Sequence, residues 1–294
     1  MIIIKNRQDY LKNEDEGLKQ LVYGDSKGFF KSLGIEKSLN TGGEVIGLLP
    51  TDYSATDKGS FEVDILADFP NMLINLENQS TNLTRDDLRR MQKYAAVISD
   101  YKKKPVATVI FCTANPPRKP ITLDDNPTLK FTPIIIYSKK TNAHTILNNI
   151  KNKFNINNKI LDRKECAQLA MLCLYGFKNE EKFIKLISES IELTKKLNNT
   201  KEEIELIQTV QIKLIGKYGT KEQIEEILKM SELDDNFILQ KYKERGKLEG
   251  IEEGKTEGKF DVAVKMVLKK KMSVEEAAEI AEVPLNQLKK AVGY

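Results

Sequence analysis

Residues 63 to 80, VDILADFPNMLINLENQS, alternate apolar and polar side chains on both sides of a Pro-Asn pair. Pro70 and Asn71 suit the two central positions of a tight turn. The stretch therefore predicts a β-hairpin in which Phe69 opposes Met72, and this hairpin is the centre of the predicted sheet.

The same register opposes Asp64 to Glu77 and Glu62 to Gln79. Directly opposed β-carbons lie about 5 Å apart, and two like charges at that distance are destabilising. A polar sheet face turned to water is one explanation. A bound cation is the other, because the face lacks Lys and Arg, and a hard ion such as Mg²⁺ takes carboxylate and carbonyl oxygens. The predicted face carries Glu62, Asp64, Asp68, Asn75, Glu77 and Gln79.

The composition narrows the possible chemistry. The 294 residues are 40% hydrophobic, which is ordinary for a globular protein, and Lys plus Arg outnumber Asp plus Glu by only 47 to 43. His144 is the one histidine, which argues against catalytic triads and histidine-rich zinc sites, so carboxylates must carry any catalysis. Cys112, Cys166 and Cys173 lack the spacing of a zinc site or disulfide framework and are predicted to be reduced core residues.

The opening residues, MIIIKNRQDY, contain an apolar run too short for a signal peptide, and no later segment approaches the length of a membrane span. We therefore expect a cytoplasmic protein without a membrane partner.

Periodicity divides the chain into three predicted zones. Residues 1 to 156 indicate an α/β domain in which a helix over about 15 to 33 precedes the hairpin, and VATVIFCTA and FTPIIIYS supply two further buried strands. Residues 157 to 232 indicate an antiparallel helical bundle. Residues 233 to 294 indicate a charged glycine-repeat helix or linker and a terminal helical pair, either a helix-turn-helix or a simple two-helix cap.

A helix is predicted to follow the hairpin from Thr84, with Asp87 completing a capping box. Arg85, Arg89 and Lys93 recur at every fourth residue and form a basic stripe suited to a DNA backbone. An ordinary solvated helix face, partly neutralised by the neighbouring aspartates, is the alternative.

Asp64, the hairpin and the run Glu77-Asn78-Gln79 resemble the PD-(D/E)XK nuclease core, in the variant where Gln replaces the motif Lys. More narrowly, the chain resembles the Rpn group of recombination-promoting nucleases, also called PD-(D/E)XK family transposases. EDEGLKQLVYGD is similar to the start of that group, and LRRMQKYAAVISDY and the EG-repeat tail agree with it. The resemblance implies a restriction-endonuclease-like αβββαβ core with a C-terminal helical region.

The resemblance also implies a metal site. The side chains of Asp64 and Glu77 and the backbone carbonyl of Asn78 would bind Mg²⁺ or Mn²⁺, and Asp15 or Glu16 of the first helix would be an additional ligand.

In this resemblance Gln79 would orient the attacking water or bond a phosphate oxygen, although it can neither act as a base nor supply positive charge. The implied activity is metal-dependent hydrolysis of DNA phosphodiester bonds, associated with recombination or mobile elements, with DNA as partner and a homodimer as a plausible assembly. The alternative is a catalytically inactive DNA- or protein-binding module on a nuclease-like scaffold.

Overall fold

The structure is a computed structural model that describes residues 7–55, 59–119, 121–123, 130–177 and 180–215, and then 259, 262–268, 272–281, 283–284, 288–289 and 292. The chain forms two compact units, 1–231 and 232–294. The first unit contains the predicted α/β domain, 1–156, and all but the last residue of the predicted helical bundle, 157–232. No helix among the described residues is long and apolar enough to cross a membrane.

The first unit combines helices with two β-sheets. Its helices are α1 Arg7–Gly24, α2 Ser26–Leu33, α3 Ile35–Ser38, α4 Arg85–Lys102, α5 Ala143–Ile156, α6 Arg163–Ala170, α7 Glu180–Lys195 and α8 Lys201–Ile215. Its strands are β1 Gly47–Leu49, β2 Asp52–Ala55, β3 Gly59–Glu62, β4 Ile65–Asp68, β5 Leu73–Gln79, β6 Val106–Cys112 and β7 Ile134–Tyr137.

The main sheet has five strands in the order β1-β4-β5-β6-β7. β1, β4 and β5 are antiparallel, whereas β6 and β7 run parallel to β5. β2 and β3 form a separate two-stranded sheet. The predicted α/β class is therefore confirmed.

The hairpin has the predicted register. The backbone N–H of Phe69 donates to the carbonyl of Met72 at 3.0 Å, and Ile65 pairs with Leu76. The predicted pairing of Glu62 with Gln79 is wrong. The chain bends at Val63 and Asp64, and Glu62 pairs instead with Asp52 across the small sheet.

The helix predicted over 15 to 33 is two helices. The side chain of Asp25 accepts a hydrogen bond from the backbone N–H of Gly28 at 3.1 Å and so begins α2 one residue after α1 ends. α2 ends as predicted at Gly34, whose φ of 69° lies in the left-handed region that glycine adopts without strain.

α4 begins at the predicted capping box of Thr84 and Asp87. It ends before Pro105, and β6 follows with five consecutive buried residues. β7 lies at the sheet edge, and its four residues are only partly buried. The prediction that both strands are buried on both faces is therefore confirmed for the second half of β6 and wrong for β7.

Helices cover both faces of the main sheet. On one face, Leu88 and Met91 of α4 pack over Ile110 of β6. On the other, Phe29 and Phe30 of α2 make edge-to-face contacts with Phe111 and Phe69, with ring centroids 6.3 Å and 5.3 Å apart. The central strands are consequently shielded from water above and below.

The later helices pack against the first two, α8 on α1 and α6 on α2. Gly17 of α1 lies directly beneath Leu214 of α8, where a β-carbon would approach the leucine side chain to 3.0 Å. α1 therefore joins α8 to α2 and, through the hydrogen bond of Glu14 with Thr113, to the residue after β6.

Gly28→Ala is expected to lower the free energy of unfolding by about 2 kcal/mol, because overpacking outweighs the better helix propensity of alanine. The new methyl group would lie 2.6 Å from the backbone oxygen of Arg163 in α6 and against the capping Asp25 side chain. Gly47→Ala, whose β-carbon would meet no atom within 4 Å, is the control. Urea unfolding of the two variants measures the difference, and equal midpoints would contradict the close approach of α2 and α6.

All three cysteines are free and buried, as predicted. His144 lies in the first turn of α5, which Asn142 caps, and this agrees with the predicted helix start.

The described part of the second unit contains α9, Val274–Ala281. Ser273 caps the start of this helix, since its Oγ accepts a hydrogen bond from the backbone N–H of Glu276 at 3.2 Å. Lys289 pairs with Glu275 at 2.8 Å. The glycine-repeat run from 246 to 258 lies outside the described residues.

Candidate functional site

Asp64 occupies the bend between β3 and β4, one residue before β4 begins. Its Oδ2 accepts a hydrogen bond from the backbone N–H of Asn78 at 2.8 Å. The β4 ladder starts at the pair Ile65–Leu76, whereas β5 continues to Gln79. The carboxylate therefore takes the place of a strand partner at the open edge of β5.

The N–H and C=O of one residue in a strand point to the same side, so the carbonyl of Asn78 projects from the edge that faces Asp64. The Asn78 side chain lies on the opposite face of the sheet from Glu77, because successive side chains alternate. The predicted backbone ligand is thus brought next to Asp64.

Glu77 is 5% exposed. It pairs in register with Ile110, which packs beneath α4. Its Oε1 accepts a hydrogen bond from Asn75 Nδ2 at 3.0 Å. Burial, followed by the nearby charge of Asp64, raises the pKa of Glu77 to about 7 despite that hydrogen bond.

Burial also raises the pKa of Asp64, although the hydrogen bond from the Asn78 N–H opposes the rise. The negative charge of Asp15 raises it further, and the charge of Lys19 lowers it. Asp64 and Glu77 are therefore two desolvated carboxylates that raise each other's cost of ionisation, and we call them the acid pair.

The solvent-exposed alternative for the polar face is wrong along β5, where Asn75, Glu77 and Gln79 are 0%, 5% and 7% exposed. At the hairpin end of this face, Lys104 neutralises the charge of Asp68, since Lys104 Nζ lies 2.6 Å from Asp68 Oδ1. The acid pair lies toward the other end of β5.

Gln79 lies on the same face as Glu77, and its Nε2 donates to Thr81 Oγ1 at 2.9 Å. Part of its hydrogen-bonding capacity is thus committed within the protein, and an amide carries no charge in any case. The site consequently needs another source of positive charge if a phosphate is to approach.

The three acids of α1 have different surroundings. Glu14 is fully buried and its Oε1 accepts a short hydrogen bond from Thr113 Oγ1, just beyond β6. Asp15 forms an ion pair with Lys19 at 3.1 Å and acts electrostatically on Asp64. Glu16 is directed to Lys213 of α8 at 3.8 Å. Of the two predicted first-helix ligands, the structure places Asp15 nearer the acid pair.

The predicted basic stripe of Arg85, Arg89 and Lys93 is exposed on α4. Arg89 Nη1 lies 2.7 Å from Asp86 Oδ1, so the stripe is partly neutralised within its own helix. Arg90, which is outside the stripe, is the α4 residue whose charge lowers the pKa of both Asp64 and Glu77.

Sequence reasoning missed Glu14 and Arg90, and it singled out Lys19 only as part of the EDEGLKQLVYGD resemblance, without a role in the site. Glu14 had a signal, because it falls one turn before Leu18 on the apolar stripe of α1, where a charge is unusual. The sequence signal for Lys19 was weaker: it follows Asp15 by four residues, the spacing of an ion pair on a helix. Arg90 had none, since its approach to the acid pair depends on how α4 packs on the sheet.

Among the residues that the structure describes, no three His, Cys, Asp or Glu side chains form a metal-binding group. The oxygen donors that lie near one another are the Asp64 carboxylate, which is bonded to the Asn78 N–H, the carbonyl of the same Asn78, and the carboxylate of the preceding Glu77. In addition, Asn75 Oδ1 is buried with no hydrogen-bond partner. This all-oxygen set fits Mg²⁺ or Mn²⁺, which commonly bind through one or two carboxylates and retain several waters.

Comparison with known proteins gives no relative: no family model, no curated protein and no solved structure matches the chain.

Proposed function

We propose that this protein is a metal-dependent DNA endonuclease with a PD-(D/E)XK-type site, of the Rpn kind, serving recombination or mobile elements. The observation that carries the proposal is the acid pair itself. Two neighbouring carboxylates, the half-buried Asp64 tied to the N–H of Asn78 and the buried Glu77 with a pKa of about 7, destabilise the fold when both are ionised. Strongly perturbed acids of this kind are typical of functional sites.

The order of elements supports the same proposal. Along the chain, α1 is followed by the three antiparallel strands of the main sheet, β1, β4 and β5. Helix α4 comes next, and then β6, which runs parallel to β5. This is the αβββαβ order that the resemblance implies. The small β2–β3 sheet is inserted between the first and second of the three strands.

In the proposed reaction, the side chains of Asp64 and Glu77 and the Asn78 carbonyl would hold the divalent ion. The ion, when bound, lowers the pKa of water and stabilises charge on the scissile phosphate. The hydrogen bond from the Asn78 N–H keeps Asp64 in place, and Asn75 orients Glu77. The Gln79 side-chain oxygen would accept a hydrogen bond from the attacking water.

Incubation of supercoiled plasmid with the purified protein tests the proposal. We expect nicked or linear DNA with Mg²⁺ or Mn²⁺ and intact plasmid with EDTA. Folded protein that leaves the plasmid intact with both ions would contradict the proposal.

A binding module on the same scaffold is the second candidate, and one observation favours it. Gln79 replaces a lysine, is 7% exposed and donates to Thr81. DNA binding that is unchanged by divalent ions, without cleavage, would be the result expected from this candidate.

A further inference from the structure

We propose that Lys19 of α1 and Arg90 of α4 form a phosphate-binding clamp around the acid pair, providing the positive charge that Gln79 lacks. This inference rests on the proposed function and identifies how the same site would hold the phosphate of its substrate. Lys19 lies in the helix that precedes the main sheet, and Arg90 lies in the helix that follows β5 and packs over Ile110.

The fold fixes the α1 side of the clamp. The buried Glu14–Thr113 hydrogen bond joins α1 to the residue after β6, whose N–H in turn donates to the carbonyl of Gln79 at 3.0 Å. α1 is thereby held against the same end of β5 as the acid pair. Asp15 holds the Lys19 ammonium at 3.1 Å, and the Lys19 side chain is 30% exposed.

The α4 side is fixed by a short connection. β5 ends at Gln79 and α4 begins at Arg85, so the first turns of the helix lie beside the end of β5. Arg90 is in the second turn, and its Nη2 lies 3.5 Å from Asp87 Oδ1 while its side chain remains 50% exposed. A guanidinium in this position is suited to a phosphate oxygen pair.

The electrostatics agree with this geometry. Each cation lowers the pKa of both carboxylates, Lys19 having the larger effect on Asp64 and Arg90 the larger effect on Glu77. Burial opposes the protonation of Lys19, yet the hydrogen bond to Asp15 and the charges of Asp15, Asp64 and Glu62 leave its pKa raised. Lys19 therefore stays charged at neutral pH.

A positively charged side chain near the acid pair can do one of two things. It can neutralise the carboxylates, or it can bind an anionic substrate. When a divalent ion occupies the acid pair, Lys19 and Arg90 are no longer needed to neutralise it. Each cation has further N–H donors beyond its ion pair with Asp15 or Asp87, and these partly exposed donors are available to a negatively charged group beside the ion. A phosphodiester is the group that the proposed reaction brings there.

The test uses Lys19→Gln, Arg90→Gln and, as matched control, Lys201→Gln, which removes the lysine of another i,i+4 helix pair, the one with Glu205 at 3.7 Å. Fluorescence anisotropy with a labelled 12-nucleotide DNA duplex, in Ca²⁺ to prevent cleavage, measures binding. We expect each site variant to bind about 10-fold more weakly, with a shallower salt dependence, since about one released counterion is lost per phosphate contact. The control should bind like the wild type.

Plasmid cleavage with Mn²⁺ is the second measurement. A loss of about 100-fold is expected in either site variant, the usual cost of removing one donor to a developing charge. Lys19→Arg should recover part of this loss, which a purely structural role would not explain.

The outcomes separate the two proposals. If the wild type cleaves DNA and Lys19→Gln and Arg90→Gln match the control in both assays, the clamp is wrong while the nuclease function stands. If the wild type binds DNA without cleaving it and both variants bind weakly, the clamp stands and the nuclease function fails. If the wild type neither binds nor cleaves DNA, both proposals are overturned.

Discussion

If the proposed function is right, Glu77→Ala is expected to reduce the rate of plasmid cleavage by about 1,000-fold or more, because it removes one of the two side chains that would hold the ion, and the ion would supply most of the stabilisation of the transition state. Asp64→Asn should have an effect of the same order. The side-chain oxygen of the new asparagine can still accept the hydrogen bond from the Asn78 N–H. The side chain is uncharged, however, and would bind the ion poorly.

Glu62→Gln is the matched control for these two variants. Glu62 is an exposed acid two residues from Asp64, and it lies in the small sheet opposite Asp52. Its loss should change the rate only a few-fold. Equal losses in Glu62→Gln and Glu77→Ala would mean that overall negative charge, rather than a specific ion site, governs the activity.

The second large effect concerns stability in the absence of divalent ions. The pKa of Glu77 is raised from 4.5 to about 7 in the folded chain. A carboxyl group with a raised pKa contributes stability that is complete below its unfolded pKa and is lost as the pH rises through its folded pKa. The free energy of unfolding should therefore fall as the pH rises from about 4 to about 8.

The size of this effect follows from the shift, at about 1.4 kcal/mol for each pKa unit, which gives about 3 kcal/mol over that range of pH. Glu77→Gln removes the titration, so the variant should gain stability relative to the wild type as the pH rises. Urea unfolding in EDTA at several pH values measures the difference. A constant difference between the two proteins would mean that Glu77 titrates normally.

Adding Mn²⁺ at about pH 8 should reverse the order of the two proteins. The ion binds the ionised acid pair and stabilises the wild type in proportion to its concentration over its dissociation constant. Glu77→Gln should respond much less. Thermal unfolding with and without the ion distinguishes an ion site from a pair of acids that merely repel each other.

The parts of the fold that follow from local chemistry could be predicted from the sequence. The Pro70-Asn71 turn set the register of the hairpin, and Thr84 with Asp87 set the start of α4. Alternation along β5 put Glu77 and Gln79 on one face. These features depend on residues only a few positions apart, and the physical rules for turns, caps and strands apply to them directly.

The parts that depend on tertiary packing could not be predicted. The break at Val63 and Asp64 diverts Glu62 into a second sheet, although the alternating pattern continues through it. The sequence also left open whether the polar face of β5 is exposed to water or covered by a helix, because apolar and polar residues alternate along the strand in the same way in either case. The charges of Arg90 and Lys19 act on the acid pair only because of the way α4 and α1 pack in the folded chain.

The packing of α8 on α1 has a consequence for the order in which the protein matures during synthesis. α1 leaves the ribosome before α8, the helix that packs on it, which is complete only when Ile215 has been added. Contacts between residues so far apart in the chain form late in folding. We expect the nascent chain to hold Lys19 and Glu14 loosely until then, so that the proposed site would be assembled only after α8 has been made.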